Sequence, residues 1–447
     1  MMNQQDDLKK VDLDSLWYPM RQHRGIEFEP PRQFVSGDGV YLTDISGERV
    51  LDGLAGIWCV NVGYGREELA DVAREQMARL PYLPGTFTHA PAAALAGKLT
   101  EMLGYASKVY FTNSGSEANE VAFKVARQYH AQTGSPGRFK IIARYRGYHG
   151  NTLGALSATG QAERKLGYEP LAPGFIHIDA PDPYRITHDC ADQLERTIER
   201  EGPNTIAAFI MEPIIAGGGI LIPPDDYLPR VREICNRHGV LLILDEVVTG
   251  FGRTGTTFAH TRDGVEPDLL TLGKGIASGY QPLAAMVAKQ GIFEAFEGDA
   301  GGLSHLRHIN TYGGHPVATA VALRNIEILE REALVEKVVK TGDAMISRLK
   351  RLEDHPNVGE VRGRGLLIGI ELVEDKQSRV PIDSTGSAAV VARCARDGVL
   401  VGRTANTTPG FDNVLILAPP FVIADDEADL LASTLETAIQ EELPLKL

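Results

Sequence analysis

The sequence predicts an α/β fold in which helices cover both faces of a mostly parallel sheet. From about residue 108 onward, short and continuously apolar runs alternate with segments of helical period. Strands buried on both faces read as apolar runs, and parallel strands need helical crossovers between them. Several of these runs also end in a polar residue, which is typical of ligand-binding side chains at the carboxyl edge of a parallel sheet.

The composition is that of an ordinary globular protein. The chain has 447 residues, of which 43% are hydrophobic and 23% charged, and this length predicts more than one lobe. The formal net charge of −14 argues against binding to nucleic acid or to an anionic membrane. No apolar segment reaches the ~20 residues of a membrane span, and the polar first residues predict no signal peptide. The four cysteines are scattered without a CxxC spacing, so we expect reduced thiols in a cytoplasmic protein.

The first part of the chain predicts short strands and helices around one prominent tryptophan. Strands are predicted at Val40–Asp44 and Arg49–Asp52, and helices at Glu67–Leu80 and Ala92–Met102. Trp58 lies between these groups among glycines. Two interpretations of Trp58 remain open, a packed core aromatic and a wall of an active-site entrance.

A candidate anion site follows the first strand of the alternating region. Ser114, Gly115 and Ser116 precede a helix predicted to begin near Glu117, and Ser114 with Glu117 matches a capping box. Small residues at a helix N-terminus leave its backbone N–H groups open to a phosphate. The alternative is a plainly capped helix, and we expect Glu117 and Asn119 to be cap and surface residues.

Two further strands end in residues suited to binding. The strand Phe139–Tyr145 is followed by Tyr148 and His149, and the strand Thr205–Met211 is followed directly by Glu212. An aromatic side chain at a strand end can stack on a flat ring, although a structural role is the alternative for Tyr148 and His149.

The most informative stretch joins an acid and an amine. A strand at Val240–Leu244 ends in Asp245, and the strand Asp268–Leu272 ends beside Lys274, which lies between two glycines. There a lysine can form a Schiff base with an aldehyde, and a carboxylate can keep a pyridine nitrogen protonated. The pair therefore predicts an enzyme that uses pyridoxal 5'-phosphate (PLP).

The remaining chain predicts a smaller α/β lobe. A strand at Gln281–Lys289 precedes a loop with three histidines, whose spacing fits no zinc site, and we expect no metal. Long helices are predicted from Pro316 to about Arg351. The elements predicted after them are Val358–Arg362, Leu366–Leu372, Ser387–Asp397, Val399–Val401, Val414–Leu417 and Ala424–Glu442.

Six segments together carry a family resemblance. They are FTNSGSEAN, GYHGNT, FIMEPI, LILDEVVTGFGRTG, PDLLTLGKGIASG and NTYGGHP, in this order. In them the chain resembles the class III PLP-dependent aminotransferases, also called ω-aminotransferases, and the resemblance covers roughly residues 17 to 440. It implies PLP-dependent transferase fold type I, with a large domain of mostly parallel sheet and a smaller C-terminal α/β domain. Residues 1–60 would belong to the small lobe, residues 61–330 would form the PLP-binding domain, and residues 331–447 would form the small domain.

The resemblance also implies roles at the cofactor. Lys274 would bond to the cofactor and then act as general base and acid, and Asp245 would pair with the pyridine nitrogen. Tyr148 and Val247 would cover the two ring faces. The full set of implied cofactor-binding residues is Ser114, Gly115, Ser116, Tyr148, His149, Glu212, Asp245, Val247, Lys274 and Thr311.

The implied assembly is a homodimer, or a dimer of dimers, with shared active sites. Thr311 would reach the phosphate in the neighbouring subunit, and Phe87 would contribute to that subunit's substrate pocket. Trp58 and Met20 would line the pocket of their own chain. Arg403 is the nearest candidate for the arginine that binds the acceptor's carboxylate. It lies about one position off the usual register, before an insertion-like TANTTPG, and a loop arginine is the alternative.

The reaction that this predicts is transamination from an ω-amino acid or amine to pyruvate, giving L-alanine. The donor classes left open are β-alanine, taurine, γ-aminobutyrate, a diamine and an aryl-alkyl amine. The closest rival is another PLP reaction on the same fold, a 2,1-aminomutase or an amino-acid epimerase. A catalytically idle scaffold is a further alternative, against which the presence of both Lys274 and Asp245 argues.

Overall fold

The computed structural model describes residues 14–26, 28 and 30–443. It contains a seven-stranded sheet and two four-stranded sheets. Over this part of the chain, no helix has both the length and the apolar character to cross a membrane. All four cysteines are free thiols. Within the same residues no cluster of three or more His, Cys, Asp or Glu side chains is arranged to hold a metal ion.

The first sheet combines both ends of the chain. Its strands β1 (Phe34–Asp38), β2 (Tyr41–Asp44) and β3 (Arg49–Asp52) pair antiparallel in sequence. β3 also pairs in parallel with a much later strand, Val399–Leu400. This pairing attaches the N-terminal strands to the C-terminal part of the chain. Residues 1–13 lie outside the described chain, and the domain bounds stay predictions.

The large sheet positions the candidate site. Its strands are β4 (Ser107–Thr112), β5 (Lys140–Arg144), β6 (Phe175–Ile178), β7 (Ile206–Met211), β8 (Leu241–Asp245), β9 (Leu269–Leu272) and β10 (Ala284–Lys289). They lie in the order β4-β10-β9-β8-β7-β5-β6. β5 to β9 run parallel to one another, and β10 is antiparallel to β9 and β4. The prediction of a mostly parallel sheet in an α/β fold is confirmed.

Both faces of this sheet are buried. Ile142 belongs to one hydrophobic core, while its strand neighbours Ile141 and Ala143 belong to another. Side chains alternate between the faces of a strand, so the two cores lie on opposite sides of the sheet. The helices are Glu67–Arg79, Ala90–Leu103, Gly115–Gln132, Leu153–Ala158, Cys190–Glu201, Tyr227–His238, Gln290–Glu294, Pro316–Arg331, Leu334–Leu349, Ser384–Arg396 and Asp425–Glu442, with short 3₁₀ turns at Ala162–Lys165, Pro203–Thr205, Ala259–Asp263, Lys274–Ile276 and Lys350–Asp354, and a kinked turn at Ala55–Trp58.

The third sheet belongs to the C-terminal part. Its strands are β11 (Val358–Gly363), β12 (Ile368–Leu372), β14 (Gly402–Arg403) and β15 (Val414–Leu417), which lie in the order β11-β12-β15-β14, while β13 (Val399–Leu400) joins the first sheet. The strand predicted at Val399–Val401 is present as β13, although the structure ends it at Leu400 and adds a second short strand, β14, after Val401. The chain passes from one sheet to another at Val401, because β13 pairs with β3 and β14 pairs with β15.

The capping prediction is half correct. The helix begins at Gly115 rather than near Glu117, and the Ser114 hydroxyl accepts a hydrogen bond from the Glu117 N–H at 3.3 Å. The Glu117 carboxylate reaches back one residue further than predicted, to the N–H of Asn113 at 2.8 Å. The helix start therefore carries its own cap, which frees its first turn for binding.

Candidate active site

The carboxyl edge of the seven-stranded sheet brings the predicted acid and amine together. Asp245 is the last residue of β8, and Lys274 follows β9 after one glycine. β8 and β9 are parallel neighbours, with Asp245 opposite Thr271 in register. Both strands therefore deliver their final side chains to the same edge. Asp245 and Lys274 line one cavity of about 500 Å³, a volume typical of small-molecule sites.

Hydrogen bonds from three directions hold the Asp245 carboxylate in place. The Asn119 side-chain amide donates to its Oδ2 at 2.8 Å, and His149 Nδ1 lies 2.9 Å from the same oxygen. The backbone N–H of Val247 donates to the other oxygen at 3.1 Å. The Thr271 hydroxyl donates to Asn119 Oδ1 at 2.9 Å, which orients the Asn119 amide nitrogen toward Asp245.

Asn119 is a site residue that the sequence reasoning missed. We expected a cap or surface residue, but Asn119 is 1% exposed and also donates to the carbonyl of His149 at 2.7 Å. It lies one helical turn beyond Gly115 and Ser116. Residues three and four apart share one helix face, so this spacing was the available signal.

Lys274 combines burial with a strained backbone. Its φ is +42°, in a region that residues other than glycine rarely adopt and that is common at functional sites. The amine lies 5.8 Å from the centroid of the Trp58 ring. Burial of the amine lowers the pKa of Lys274, against the opposing effect of Asp245. A lowered pKa increases the fraction of neutral amine, the form that reacts with an aldehyde.

Glu212, directly after β7, ties two loops of the cavity together. Its two carboxylate oxygens accept hydrogen bonds from the N–H groups of Tyr148 and Ala216, each at 3.0 Å. Burial raises the pKa of Glu212, and the charge of His149 opposes this effect. The Glu212 side chain thus fixes the backbone at Tyr148 and at Ala216.

The N-terminus of the helix Gly115–Gln132 forms the candidate phosphate site. The first N–H groups of a helix have no partner inside the helix. Ser114 satisfies the N–H of Glu117, which leaves the amides of Gly115 and Ser116 for an anion. Gly115 and Ser116 both line the cavity, so the predicted phosphate site and the predicted acid and amine share one space.

Close packing at two glycines shapes the same cavity. A Cβ atom on Gly115 would lie 2.8 Å from a Val247 methyl group, and one on Gly150 would lie 2.4 Å from the Ser116 hydroxyl. Val247 and Tyr148, the residues predicted to cover the two ring faces, both line the cavity. The residues present therefore fit PLP, with an amine for its aldehyde, an acid for its ring nitrogen, a helix N-terminus for its phosphate and two side chains for its ring.

The mouth of the cavity contains an arginine that the sequence reasoning missed. Arg164 is the only arginine among the described residues that line the cavity. Its Nε donates to the Gln161 side-chain oxygen at 3.0 Å, and its guanidinium carbon lies 5.4 Å from the centroid of the Tyr148 ring. Its Nη1 contacts the Met20 sulfur at 3.6 Å. No motif marks Arg164 in the sequence, because it lies in a loop-like stretch without regular apolar spacing.

The residues predicted for the substrate pocket, and Thr311, which was predicted to reach the phosphate in the neighbouring subunit, fall into two groups apart from Arg403. Met20 and Trp58 line the cavity. Phe87 and Thr311 lie outside it, where Phe87 is 68% exposed and the Tyr82 hydroxyl donates to the Thr311 carbonyl at 3.1 Å. Their expected contribution to a neighbouring subunit's site stays a prediction.

The structure does not bring Arg403 into the cavity. Its Nη1 lies 3.5 Å from the hydroxyl of Ser387, which belongs to the helix Ser384–Arg396. Gly402 faces another way, because an added Cβ there would meet Leu54 at 2.9 Å. Adjacent residues of a strand point to opposite faces. Arg403 is therefore not among the residues that line the cavity, where the arginine is Arg164 instead.

Comparison with known proteins gives one consistent result. The family model described as "Aminotransferase class-III" matches residues 27–439. The chain is 48% identical to an uncharacterized aminotransferase, YhxA, of Bacillus subtilis, with 98% of each chain covered. It is 40% identical to the hypotaurine/taurine–pyruvate aminotransferase of Paracoccus denitrificans, over 98% of this chain and 97% of that one. Among solved structures, a Bacillus anthracis aminotransferase is similar with a TM-score of 0.96 and 47% identity, over 98% of this chain and 99% of that one.

Proposed function

Because the chain belongs to the class III aminotransferases, which depend on PLP, we propose that it transfers an amino group from an ω-amino acid or amine to pyruvate, giving L-alanine. PLP, when bound, supplies an aldehyde for the amino group and a ring that withdraws electrons from the adjacent carbon. The protein supplies orientation, proton transfer and exclusion of water. The single observation that carries the choice of a carboxylate-bearing acceptor is Arg164 at the mouth of the cavity.

Lys274 is the proton carrier of this reaction. Its amine has a pKa lowered by burial, so a neutral Nζ can take a proton from one substrate carbon and return it to a neighbouring atom. Asn119, His149 and the backbone N–H of Val247 fix the oxygens of Asp245. In this position the carboxylate would stabilise positive charge on the ring nitrogen of the cofactor. The two side chains therefore act on opposite ends of the same bound group.

Arg164 recognises the carboxylate of pyruvate. A guanidinium group presents paired N–H donors that match a carboxylate or a sulfonate. The Nε of Arg164 donates to Gln161, while Nη1 contacts the sulfur of Met20 at the mouth. Methionine is unbranched and adaptable, so the same mouth has room for donors with or without an acidic group.

A half-reaction experiment tests the proposal. Donor alone should abolish the visible absorbance of the bound cofactor in proportion to the enzyme present, and pyruvate should restore it with one alanine formed per site. The panel should include β-alanine, taurine, γ-aminobutyrate, putrescine and 1-phenylethylamine. A product that forms from a single substrate without any keto acid would contradict transamination and favour the aminomutase or epimerase alternative.

We also propose that two copies of the chain share their active sites. Phe87 and Ile309 are both exposed and border one surface groove, while the rings of Tyr82 and the exposed Tyr312 lie 6.1 Å apart. Monomers rarely expose contiguous apolar patches of this kind. The patch fits a second copy, whose cavity Thr311 would then complete.

Mixed dimers test the shared site. In a heterodimer of a Lys274→Ala chain and a Thr311→Ala chain, shared sites would place both changes in one site and leave the other intact, so activity should return on mixing. Sites built from a single chain would leave one change in each site, and mixing would restore nothing. Light scattering should give at least twice the chain mass.

We place the reaction in the cytoplasm because all four cysteines are free thiols.

A further inference from the structure

We propose that residues 404–413, called here the 404–413 loop, position Arg164 and thereby determine which acceptors the enzyme uses. The inference rests on the proposed role of Arg164. The loop connects β14 to β15 in the C-terminal part and contains the TANTTPG segment that no predicted function used. Arg164 comes from the large-sheet part of the chain, so the loop acts on it across the boundary between the two parts.

The loop has a defined shape of its own. The Thr404 hydroxyl donates to the Phe411 carbonyl at 2.7 Å and accepts from the Val414 N–H at 3.1 Å. The Phe411 N–H donates to the Thr408 carbonyl at 3.0 Å. Thr404 is buried, so this closure is shielded from water. The loop therefore presents Phe411 and its tip in a fixed arrangement.

The first connection between the loop and Arg164 is a backbone hydrogen bond to the turn that contains Arg164. The Glu163 N–H donates to the Thr407 carbonyl at 3.0 Å. Thr407 is buried, although it belongs to a loop. Glu163 and Arg164 are neighbours in the 3₁₀ turn Ala162–Lys165, so this hydrogen bond limits movement of the turn toward or away from the cavity.

The second connection between the loop and Arg164 runs from Phe411 through Arg146 and Gln161. The guanidinium carbon of Arg146 lies 4.7 Å from the centroid of the Phe411 ring, and that of Arg185 lies 5.4 Å from it. The Arg146 carbonyl accepts from the Gln161 side-chain nitrogen at 3.0 Å. The Gln161 oxygen then accepts from Arg164 Nε at 3.0 Å. Cation–π contacts of this kind hold an aromatic ring and a guanidinium group together.

Further contacts hold Arg146, the middle residue of this second connection, in place. Arg146 pairs with Asp182 at 2.6 Å and donates through Nη2 to the Gly218 carbonyl at 2.7 Å. Arg146, Asp182 and Gln161 are all buried. Arg146 contacts Phe411 through its guanidinium group and Gln161 through its backbone carbonyl. A displacement of Phe411 that moved Arg146 would therefore also disturb Gln161, whose amide sets the direction of the Arg164 side chain.

The test compares acceptors with and without a carboxylate, using the PLP-loaded enzyme. Phe411→Leu removes the ring while keeping an apolar side chain, and Thr404→Val removes the hydroxyl that closes the loop. We expect each to raise KM for pyruvate by about tenfold, because a carboxylate contact depends on a placed guanidinium. The kcat with pyruvate and the kcat/KM with propanal, a neutral acceptor, should not change. Calorimetric titration should show the same weakening for propionate, an unreactive carboxylate.

Two controls make the result specific. Phe293→Leu removes a different aromatic ring, 5.2 Å from the Lys108 amine and outside the cavity, and should change none of these values. In the Arg164→Ala background, Phe411→Leu should cause no further loss with pyruvate.

Two outcomes would overturn the inference in distinguishable ways. Equal losses with pyruvate and propanal in Phe411→Leu and Thr404→Val would reduce the loop to a structural role, and a selective loss in Arg164→Ala would then leave the proposed function standing. If Arg164→Ala itself failed to discriminate between the two acceptors, the role of Arg164 and the inference would both be wrong.

Discussion

The floor and the mouth of the cavity are built by different means. At the floor, Asp245 and Lys274 follow directly from the ends of neighbouring parallel strands, and the helix that starts at Gly115 adds the phosphate site. At the mouth, Arg164 lies on a short turn, where its Nε donates to Gln161 and the N–H of its neighbour Glu163 donates to Thr407, in a loop far away in the sequence. Regular elements therefore position the groups that perform the chemistry, whereas irregular segments position the groups that select the substrate.

This difference predicts how each region responds to change. We propose that the side chains of the floor act on every substrate, so their variants should lose activity with all donors and acceptors. The mouth contacts only part of each substrate, so its variants should change the ranking of substrates.

Lys274→Ala should abolish transamination, with a loss of at least ~10³-fold in kcat for every donor and acceptor, because the proton carrier is removed. Steady-state alanine formation measures this loss. An unchanged circular dichroism spectrum and melting temperature would exclude unfolding. Activity within about tenfold of wild type would show that another group moves the proton.

Asp245→Asn should reduce kcat by about 10²- to 10³-fold for all substrates, because a preorganised charge at the ring nitrogen is lost. Asn119→Ala removes one donor to the same carboxylate and should cost about tenfold or less. Single-turnover rates with several donors measure both effects. A variant that lost activity with only some donors would contradict the assignment of Asp245 to the floor.

Arg164→Ala should reduce kcat/KM for pyruvate by about 10- to 100-fold through KM, because a charge-assisted contact to the carboxylate is lost. The same change should leave propanal unaffected. Arg403→Ala is the matched control, since it removes an arginine that lies outside the cavity. A loss of pyruvate affinity in Arg403→Ala, but not in Arg164→Ala, would reverse our assignment.

The reactivity of Lys274 in the cofactor-free protein should depend on pH in a defined direction. Burial lowers its pKa below the usual 10.5, so modification by trinitrobenzenesulfonate should reach half its maximal rate below that pH. Asp245 raises the pKa of Lys274, and Asp245→Asn should therefore move the midpoint further down. Peptide mapping isolates the signal of Lys274, with Lys274→Ala as the blank. A midpoint that rises in Asp245→Asn would contradict this electrostatic coupling.

The outline of the fold was accessible from the sequence because it depends on local patterns. Apolar runs marked the strands of the large sheet, and the lengths between them required helical crossovers. The sequence predicted β13 as the strand Val399–Val401, but it did not predict β14 or the sheets to which the two strands belong. Each has only two residues, and their partners β3 and β15 lie in different sheets, so no local pattern separates them.

By itself the sequence predicted the acid, the amine and the candidate phosphate site, because the end of a strand or the start of a helix fixes where a side chain or an N–H group is placed. Only the tertiary structure showed the positions of Asn119 beside Asp245, of Arg164 at the cavity and of Arg403 outside it. A buried Asn119 needed the contact between a helix and the ends of β8 and β9, and Arg164 needed a turn fixed from the other part of the chain. The exclusion of Arg403 from the cavity needed the position of the two-residue strand β14, where the guanidinium group lies beside Ser387.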